Sequence, residues 1–332
     1  MTDDPVAQAD RLLNEGRVDA AVSLIERAAS AGDADALFCN AIWKLAGEPV
    51  PRDLPAARRA LRRAAELGQA HAALMEVALT ANGSGGPENW RAALALLRDA
   101  AERDATAARI LALVDAMPLD AEGAPTGLPE PEPLAPNGAV VRFPALLTPA
   151  ECEHVASMAL DVIAPAVVVH PATGRQVRHP HRTSDGAVLG PTRETLAVRA
   201  INRRIAAISG TDIDQGESLT VLRYAPGQEY RPHHDSLPGT GNQRVKTVLV
   251  YLNGGFAGGE TVFPHYGLSV VPRGGDALLF VNASPDGRPD PRAQHAGAPV
   301  RQGVKWLATR WIRARPFNPW TGPEVPIAPS GP

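Results

Sequence analysis

At 332 residues, with 44% hydrophobic and 21% charged residues, the chain is long enough for two domains that each bury a core. A formal charge of -3 and a pI near 6.3 give no basic footprint for a phosphate backbone, which argues against nucleic acid as a partner. The start, MTDDPVAQADRLL, lacks the basic and apolar regions of a signal peptide, and no apolar run is long enough to span a bilayer, so the expectation is a cytoplasmic protein without membrane contact. Cys39 and Cys152 stand far apart and are read as packed thiols, not as a disulfide or a zinc site.

The first third of the chain repeats itself at an offset of 36 residues. Ala20 and Ala21 recur as Ala56 and Ala57, then as Ala92 and Ala93; Ala28 and Ala29 recur as Ala64 and Ala65, then as Ala100 and Ala101. Ile25, Leu61 and Leu97 lie between them; Gly32, Gly68 and Asp104 follow, then Ala36, Ala72 and Ala108. A unit of this length, rich in small residues and without strand-like alternation, is a helical hairpin whose neighbours pack closely. The array resembles tetratricopeptide-like repeats, in particular the SEL-like kind. That resemblance implies binding of a peptide or partner protein, with a rigid spacer or dimerisation element as the alternative. Arg58/Arg59 and Arg62/Arg63, at i and i+4, are expected on a solvated face, or else as a contact for an acidic peptide.

The next segment is dense in proline and poor in bulky apolar side chains, which predicts an extended, semi-rigid linker. Beyond it the pattern changes. Helices are expected over Thr148 to Ile163, with Thr148 as N-cap and Pro149 at N1, and over Arg193 to Ile208. Short strands follow in SLTVLRY, VKTVLVYLN, ETVFP, LSVVP, DALLFVN and VKWLATRWIRA, separated by Gly/Pro turns. That series predicts a sandwich or double-sheet jelly roll with the two helices outside.

His233 and Asp235 are one residue apart, so strand alternation points both to one face. His295, just before the last long strand, is the candidate third ligand. Two imidazoles and one carboxylate occupy one face of an octahedron and leave three positions open, the ligand set of a non-haem iron(II) oxygenase. His179-Pro-His181 has metal-like spacing too and is read as a loop near the active-site mouth.

These residues sit in an ordered series: Tyr224-x-x-Gly227-x-x-Tyr230-x-x-His233-x-Asp235, Gln243-Arg244, Tyr251-Leu252-Asn253, Gly258-Gly259-Glu260-Thr261-x-Phe263-Pro264, His295 and Lys305-Trp306. From about Val140 to Pro316 the chain resembles the prolyl 4-hydroxylase family of 2-oxoglutarate/iron dioxygenases. The resemblance implies iron(II) on His233, Asp235 and His295, and 2-oxoglutarate as co-substrate with its C5 carboxylate on Lys305, aided by Tyr224 and Thr261. It further implies consumption of O2 with release of succinate and carbon dioxide, ascorbate as a reductant, and a substrate site near Arg244.

A buried dianion must meet a cation and hydroxyl donors. Lys305 is the only lysine after the distal histidine, and it starts a row continued by Leu307, Thr309 and Trp311, fit for a pocket wall. Asp235 argues against the related halogenases, which carry a small residue there. Arg313 stands where the resembled enzymes have a histidine near the bound proline, and its fork suits a carboxylate of the substrate. Arg244, Trp311 and Arg313 are the expected substrate contacts.

The fold expected is a multidomain α+β chain: N-terminal α-helical hairpin repeats (1–116), a Pro-rich linker (117–136), a double-stranded β-helix (jelly-roll) dioxygenase domain (137–320) and a tail (321–332). The expected function is hydroxylation of a peptidyl proline. Hydroxylation of a free amino acid or other small molecule, and a non-catalytic peptide-binding scaffold, are the alternatives. An oxidative nucleic-acid demethylase is disfavoured by the acidic balance and by lysine in place of arginine for the co-substrate carboxylate.

Overall fold

The computed structural model describes residues 4–169, 176–178, 181–284 and 286–321. It forms two compact units, Met1–Gly123 with Pro191–Ala200, and Ala124–Gly190 with Ile201–Pro332.

The first unit is helical: α1 (Pro5–Asn14), α2 (Val18–Ser30), α3 (Ala34–Ala46), α4 (Leu54–Glu66), α5 (Ala70–Asn82), α6 (Trp90–Ala101) and α7 (Ala105–Asp115). The starts of α2, α4 and α6 fall on the 36-residue period, and Ile25, Leu61 and Leu97 are all fully buried. Each such side chain contributes about 1.5–3 kcal/mol by leaving water. Asp33, Gln69 and Asp104 cap α3, α5 and α7 by accepting from the backbone N–H of Ala36, Ala72 and Ala107.

The caps correct the expected alignment of the third repeat. Asp104 corresponds to Asp33 and Gln69 rather than to the glycines before them, and Ala107, not the exposed Ala108, takes the buried place of Ala36 and Ala72. Helix α6 is one residue shorter than α2 and α4, 12 against 13, so the register slips by one.

One arginine of the doublets departs from the expected solvated face. Arg58 is buried and donates to both oxygens of the buried Glu76, and to Thr80; Arg62 donates to Glu76 from the rim at 2.7 Å. The i and i+4 pair Arg58 and Arg62 clamps α4 to α5 through one carboxylate. Arg59, Arg62 and Arg63 stay exposed on the surface.

In the second unit the strands are β1 (Glu132–Pro133), β2 (Val140–Phe143), β3 (Ala164–Pro165), β4 (Val167–Val169), β5 (Gln176–Arg178), β6 (Asp185–Leu189), β7 (Leu219–Tyr224) and β8 (Tyr230–His233). They continue with β9 (Arg244–Tyr251), β10 (Ala257–Gly258), β11 (Thr261–Phe263), β12 (Leu268–Val270), β13 (Ala277–Val281), β14 (His295–Gly297), β15 (Val300–Gln302) and β16 (Lys305–Arg313). An eight-stranded sheet runs β1-β2-β13-β9-β16-β7-β6-β3, and a four-stranded sheet runs β12-β11-β14-β8, every pairing antiparallel.

The core joins the two sheets. Leu222, Leu249, Tyr251, Leu278, Phe280 and Leu307 of the large sheet pack with Phe263 and Val270 of the small one, and the Phe263 and Phe280 rings meet edge to face at 5.1 Å. This is the two-sheet arrangement expected of a jelly roll.

The other face of the large sheet is helical. Helix α8 (Pro149–Ser157) opens on a capping box between Thr148 and Glu151 and ends before Ile163, short of the expected stretch. In α9 (Leu196–Ser209), Arg204 forks onto buried Glu151 at 2.9 Å, and Asn202 offers its carbonyl to Arg310 of β16. Cys152 of α8 is buried against the Tyr251 carbonyl, with its thiol raised to about 11 by burial; Cys39 is also a free thiol.

The proline-dense segment is more than a linker. Glu132 and Pro133 form an edge strand on β2, and Glu132 pairs with Arg142 at 2.6 Å. Proline is tolerated there because an edge strand need not donate on its open side.

Candidate active site

The small sheet creates the metal geometry. In the β8/β14 pair His233 stands directly opposite His295. Strand β8 ends at His233, so Asp235 lies in the bend beyond it and not on the strand, yet it closes the same triangle. The ligand atoms of His233, Asp235 and His295 lie within 4.8 Å of one another. Asp235 Oδ1 is 3.6 Å from His233 Nε2, and its Oδ2 is 3.7 Å from His295 Nε2.

Second contacts fix how these groups point. His233 Nδ1 donates to the Arg231 carbonyl at 2.9 Å and His295 Nδ1 to the Ala293 carbonyl at 3.1 Å, which leaves both Nε2 lone pairs for a metal. The Tyr230 ring stacks on His233 at 3.4 Å, and Phe280 meets His295 edge-on at 4.5 Å. Burial lowers the pKa of His295 to about 4, so that imidazole is neutral and able to ligate. Burial works against the Asp235 carboxylate, but His295, His233 and a hydrogen bond from Thr247 together hold it well below the usual carboxylate range.

One cavity contains this triangle and a separate cationic end. Its wall includes Tyr224, Thr261, Lys305, Leu307, Thr309 and Trp311, the last four being the alternate residues of β16 that sequence reasoning grouped together. Lys305 is 3% exposed, and burial lowers its pKa to about 8. One of its protons goes to the Gly259 carbonyl at 2.7 Å, while the rings of Tyr224 and Tyr251 lie 5.4 and 5.5 Å from its nitrogen. Tyr251 and Thr261 share a hydrogen bond of 2.7 Å beside it.

Here the Gly-Gly pair has a physical reason. Gly258 and Gly259 both take positive φ, and a Cβ on them would lie 2.3 Å from the Pro299 oxygen and 3.0 Å from Lys305 Cδ respectively. Asn253 locks the start of the lysine strand, accepting from the Trp306 N–H and donating to the Val304 carbonyl.

The arginines behave differently from expectation. Arg244 forks onto Glu217 at 2.6 and 2.8 Å, and its guanidinium covers the Trp311 ring at 4.1 Å. Arg313, expected to reach a substrate carboxylate, is buried; it donates to the same Glu217 at 2.6 Å and to the Asn242 carbonyl at 2.6 Å. A register shift in the β16/β9 pairing after Ile312 sets it directly opposite Arg244, so its carboxylate partner comes from its own chain. Nothing short-range in the sequence marks Glu217 as the anion between two arginines.

His179 lies outside the described residues. The neighbouring His181 offers its carbonyl to Arg231 N–H, which sets that segment beside the metal strand. The loop after Asp235 is closed by Gln243, whose amide both donates to and accepts from the Leu237 backbone.

Residues 219–313 match the 2OG-Fe(II) oxygenase superfamily. Prolyl 4-hydroxylase 1 of Arabidopsis thaliana is 37% identical over 215 residues, which cover 59% of this chain and 76% of that one. The chain belongs to the prolyl 4-hydroxylase family of 2OG-Fe(II) oxygenases. Prolyl 4-hydroxylase 5 of the same plant is 37% identical over 196 residues, covering 52% of this chain and 67% of that relative. The viral collagen prolyl hydroxylase of Paramecium Bursaria Chlorella virus-1, solved with 2-oxoglutarate, covers 55% of this chain and 99% of its own at 25% identity, with a TM-score of 0.45.

The residues present fit the groups such an oxygenase uses. Two imidazoles and a carboxylate converge as the facial set for iron(II), and a buried ammonium with two hydroxyls stands at one end of the cavity for a remote carboxylate.

If Glu217 neutralises both arginines, Glu217→Ala should leave two guanidiniums facing each other. The expected loss of stability is about 3 kcal/mol in chemical denaturation, exceeding that of Arg244→Ala, whose loss leaves Glu217 still paired with Arg313. Equal losses for the two variants would contradict the arrangement.

Proposed function

We propose that this oxygenase hydroxylates a prolyl residue of a peptide or protein, with iron(II) on His233, Asp235 and His295 and the C5 carboxylate of 2-oxoglutarate on Lys305. The observation that carries the reading is the sharing of one cavity by the ligand triangle and the buried lysine. Bound iron(II), with 2-oxoglutarate and dioxygen, supplies the C–H oxidation, in which one oxygen atom goes to the product and one to succinate as carbon dioxide leaves. Ascorbate would serve as the accompanying reductant.

The chain's own work is positional. The carbonyls of Arg231 and Ala293 hold the imidazoles in the ligating tautomer. Lys305, with one proton committed to Gly259, has two left for the dianion, and the Tyr251–Thr261 hydroxyl pair adds a donor there. Thr309 Oγ1 and Trp311 Nε1 are buried without partners along the same wall, free to donate to a substrate carbonyl. Arg244 shapes this wall through the ring it covers. Arg313 acts as a strut and sets no preference for acidic neighbours of the target proline. Partner binding is assigned to the helical unit, whose groove is lined by Arg62, Gln69, Ala73, Leu96 and Arg103.

Lys305 gives the reading a pH signature. With its pKa lowered to about 8, the free enzyme carries the ammonium below that pH and loses it above. The KM for 2-oxoglutarate should therefore be flat below pH 8 and rise by about tenfold per unit above it. Lys305→Ala should raise that KM roughly 100-fold at pH 7, with iron dependence little changed, and should abolish the rise. A KM indifferent to this substitution would sink the role of Lys305.

The substrate is tested by mass spectrometry on proline peptides with and without acidic neighbours, and on free proline. Peptides of both kinds should gain one oxygen at comparable rates. Turnover of the free amino acid alone would reject the peptidyl reading.

A further inference from the structure

Among the described residues, one polar chain leads away from the metal triangle into the large sheet. Thr247 of β9 is fully buried and stands between Phe280 of β13 and Trp311 of β16. Its hydroxyl lies 2.7 Å from Asp235 Oδ2 and 2.7 Å from Asn282 Nδ2. Asn282 follows β13 and is 1% exposed, with its backbone N–H on the Val245 carbonyl and its own carbonyl accepting from Asp290 N–H.

The donors and acceptors settle the direction of this chain. An amide nitrogen only donates, so the Thr247 oxygen accepts from Asn282 and its single proton must go to Asp235. The cost is visible: Asn282 Oδ1 is buried with no partner, which an apolar residue of similar size would avoid. Asp235 needs outside help because it stands beyond the end of β8, and its two oxygens face one histidine each at nearly equal distance. Left alone, the carboxylate could turn both oxygens onto an ion.

We infer that Thr247, oriented by Asn282, holds Asp235 as a one-oxygen ligand and thereby keeps open a metal position that the reaction needs. The inference rests on the iron reading. Three protein atoms and two from 2-oxoglutarate would fill five of six octahedral positions, and a second carboxylate oxygen would close the sixth. By occupying Oδ2, the Thr247 proton leaves Oδ1 as the better donor to the ion. Thr247 is then a positioning residue, two residues removed along the strand from the apolar core row of Leu249 and Tyr251.

The test uses the full-length apo-protein titrated anaerobically with cobalt(II) as probe, read by metal affinity and by the visible absorption that reports coordination number. Thr247→Val, which keeps shape and removes the proton, should weaken binding roughly 10- to 100-fold and change the spectrum. Thr247→Ser should retain both wild-type properties. Asn282→Asp, of the same size but offering an acceptor that competes for the Thr247 proton, should follow Thr247→Val in the spectrum. A Thr247→Val protein with wild-type affinity and spectrum, or a Thr247→Ser protein as impaired as Thr247→Val, would overturn the inference. Absence of cobalt binding by the wild type would instead overturn the iron reading beneath it.

Discussion

The pairing of β8 with β14 in the small sheet determines what the catalytic unit can do. It sets His233 against His295 across a ladder, and the carbonyls of Arg231 and Ala293 along the same two segments take the Nδ1 protons. The backbone that positions the ligands therefore also selects their tautomer. A sandwich of two sheets is needed around it, because the opposite wall must bring Lys305 and Asp235's support from other strands, and only the interior of a jelly roll lets β9, β16 and β14 face one cavity.

Burial makes this cavity electrostatically demanding. Within it Asp235 is answered by imidazoles and Thr247, and Lys305 by a carbonyl and two aromatic faces; outside its lining Glu217 is answered by two arginines. Of these, the lysine is the least satisfied, with no carboxylate hydrogen-bonded to it among the described residues and a pKa drawn down to about 8 by burial. A dianionic co-substrate removes that imbalance. Charge pairing thus separates residues that support the site from those that await a ligand, and it moves Arg313 from the second group to the first.

Much of this was legible in the sequence, and the parts that were not share a cause. Six of the ten strands from Leu219 to Arg313 were visible because alternation and Gly/Pro turns are local signals. The inward row from Lys305 to Trp311 followed from the same period of two. The ligand residues were found by motif, yet β8 and β14 themselves are too short to show as patterns. Glu217, Thr247 and Asn282 went unnoticed because each acts on a residue distant in the chain. The one available clue for Thr247 was a polar side chain alternating with Leu249 and Tyr251 on an inward face. Likewise Arg58 carried a helical spacing that fits a surface, and only the position of Glu76 on the next helix shows it clamped inside.

The central claim is that the triangle of His233, Asp235 and His295 and the ammonium of Lys305 together run a co-substrate-coupled oxidation on a prolyl peptide. Turnover of such a peptide under isotopically heavy dioxygen, with iron(II), 2-oxoglutarate and ascorbate, tests it most directly when succinate and peptide are both weighed. The account predicts one heavy oxygen atom in each, in equal amounts. Succinate free of heavy oxygen, or product oxygen drawn from water, would contradict it.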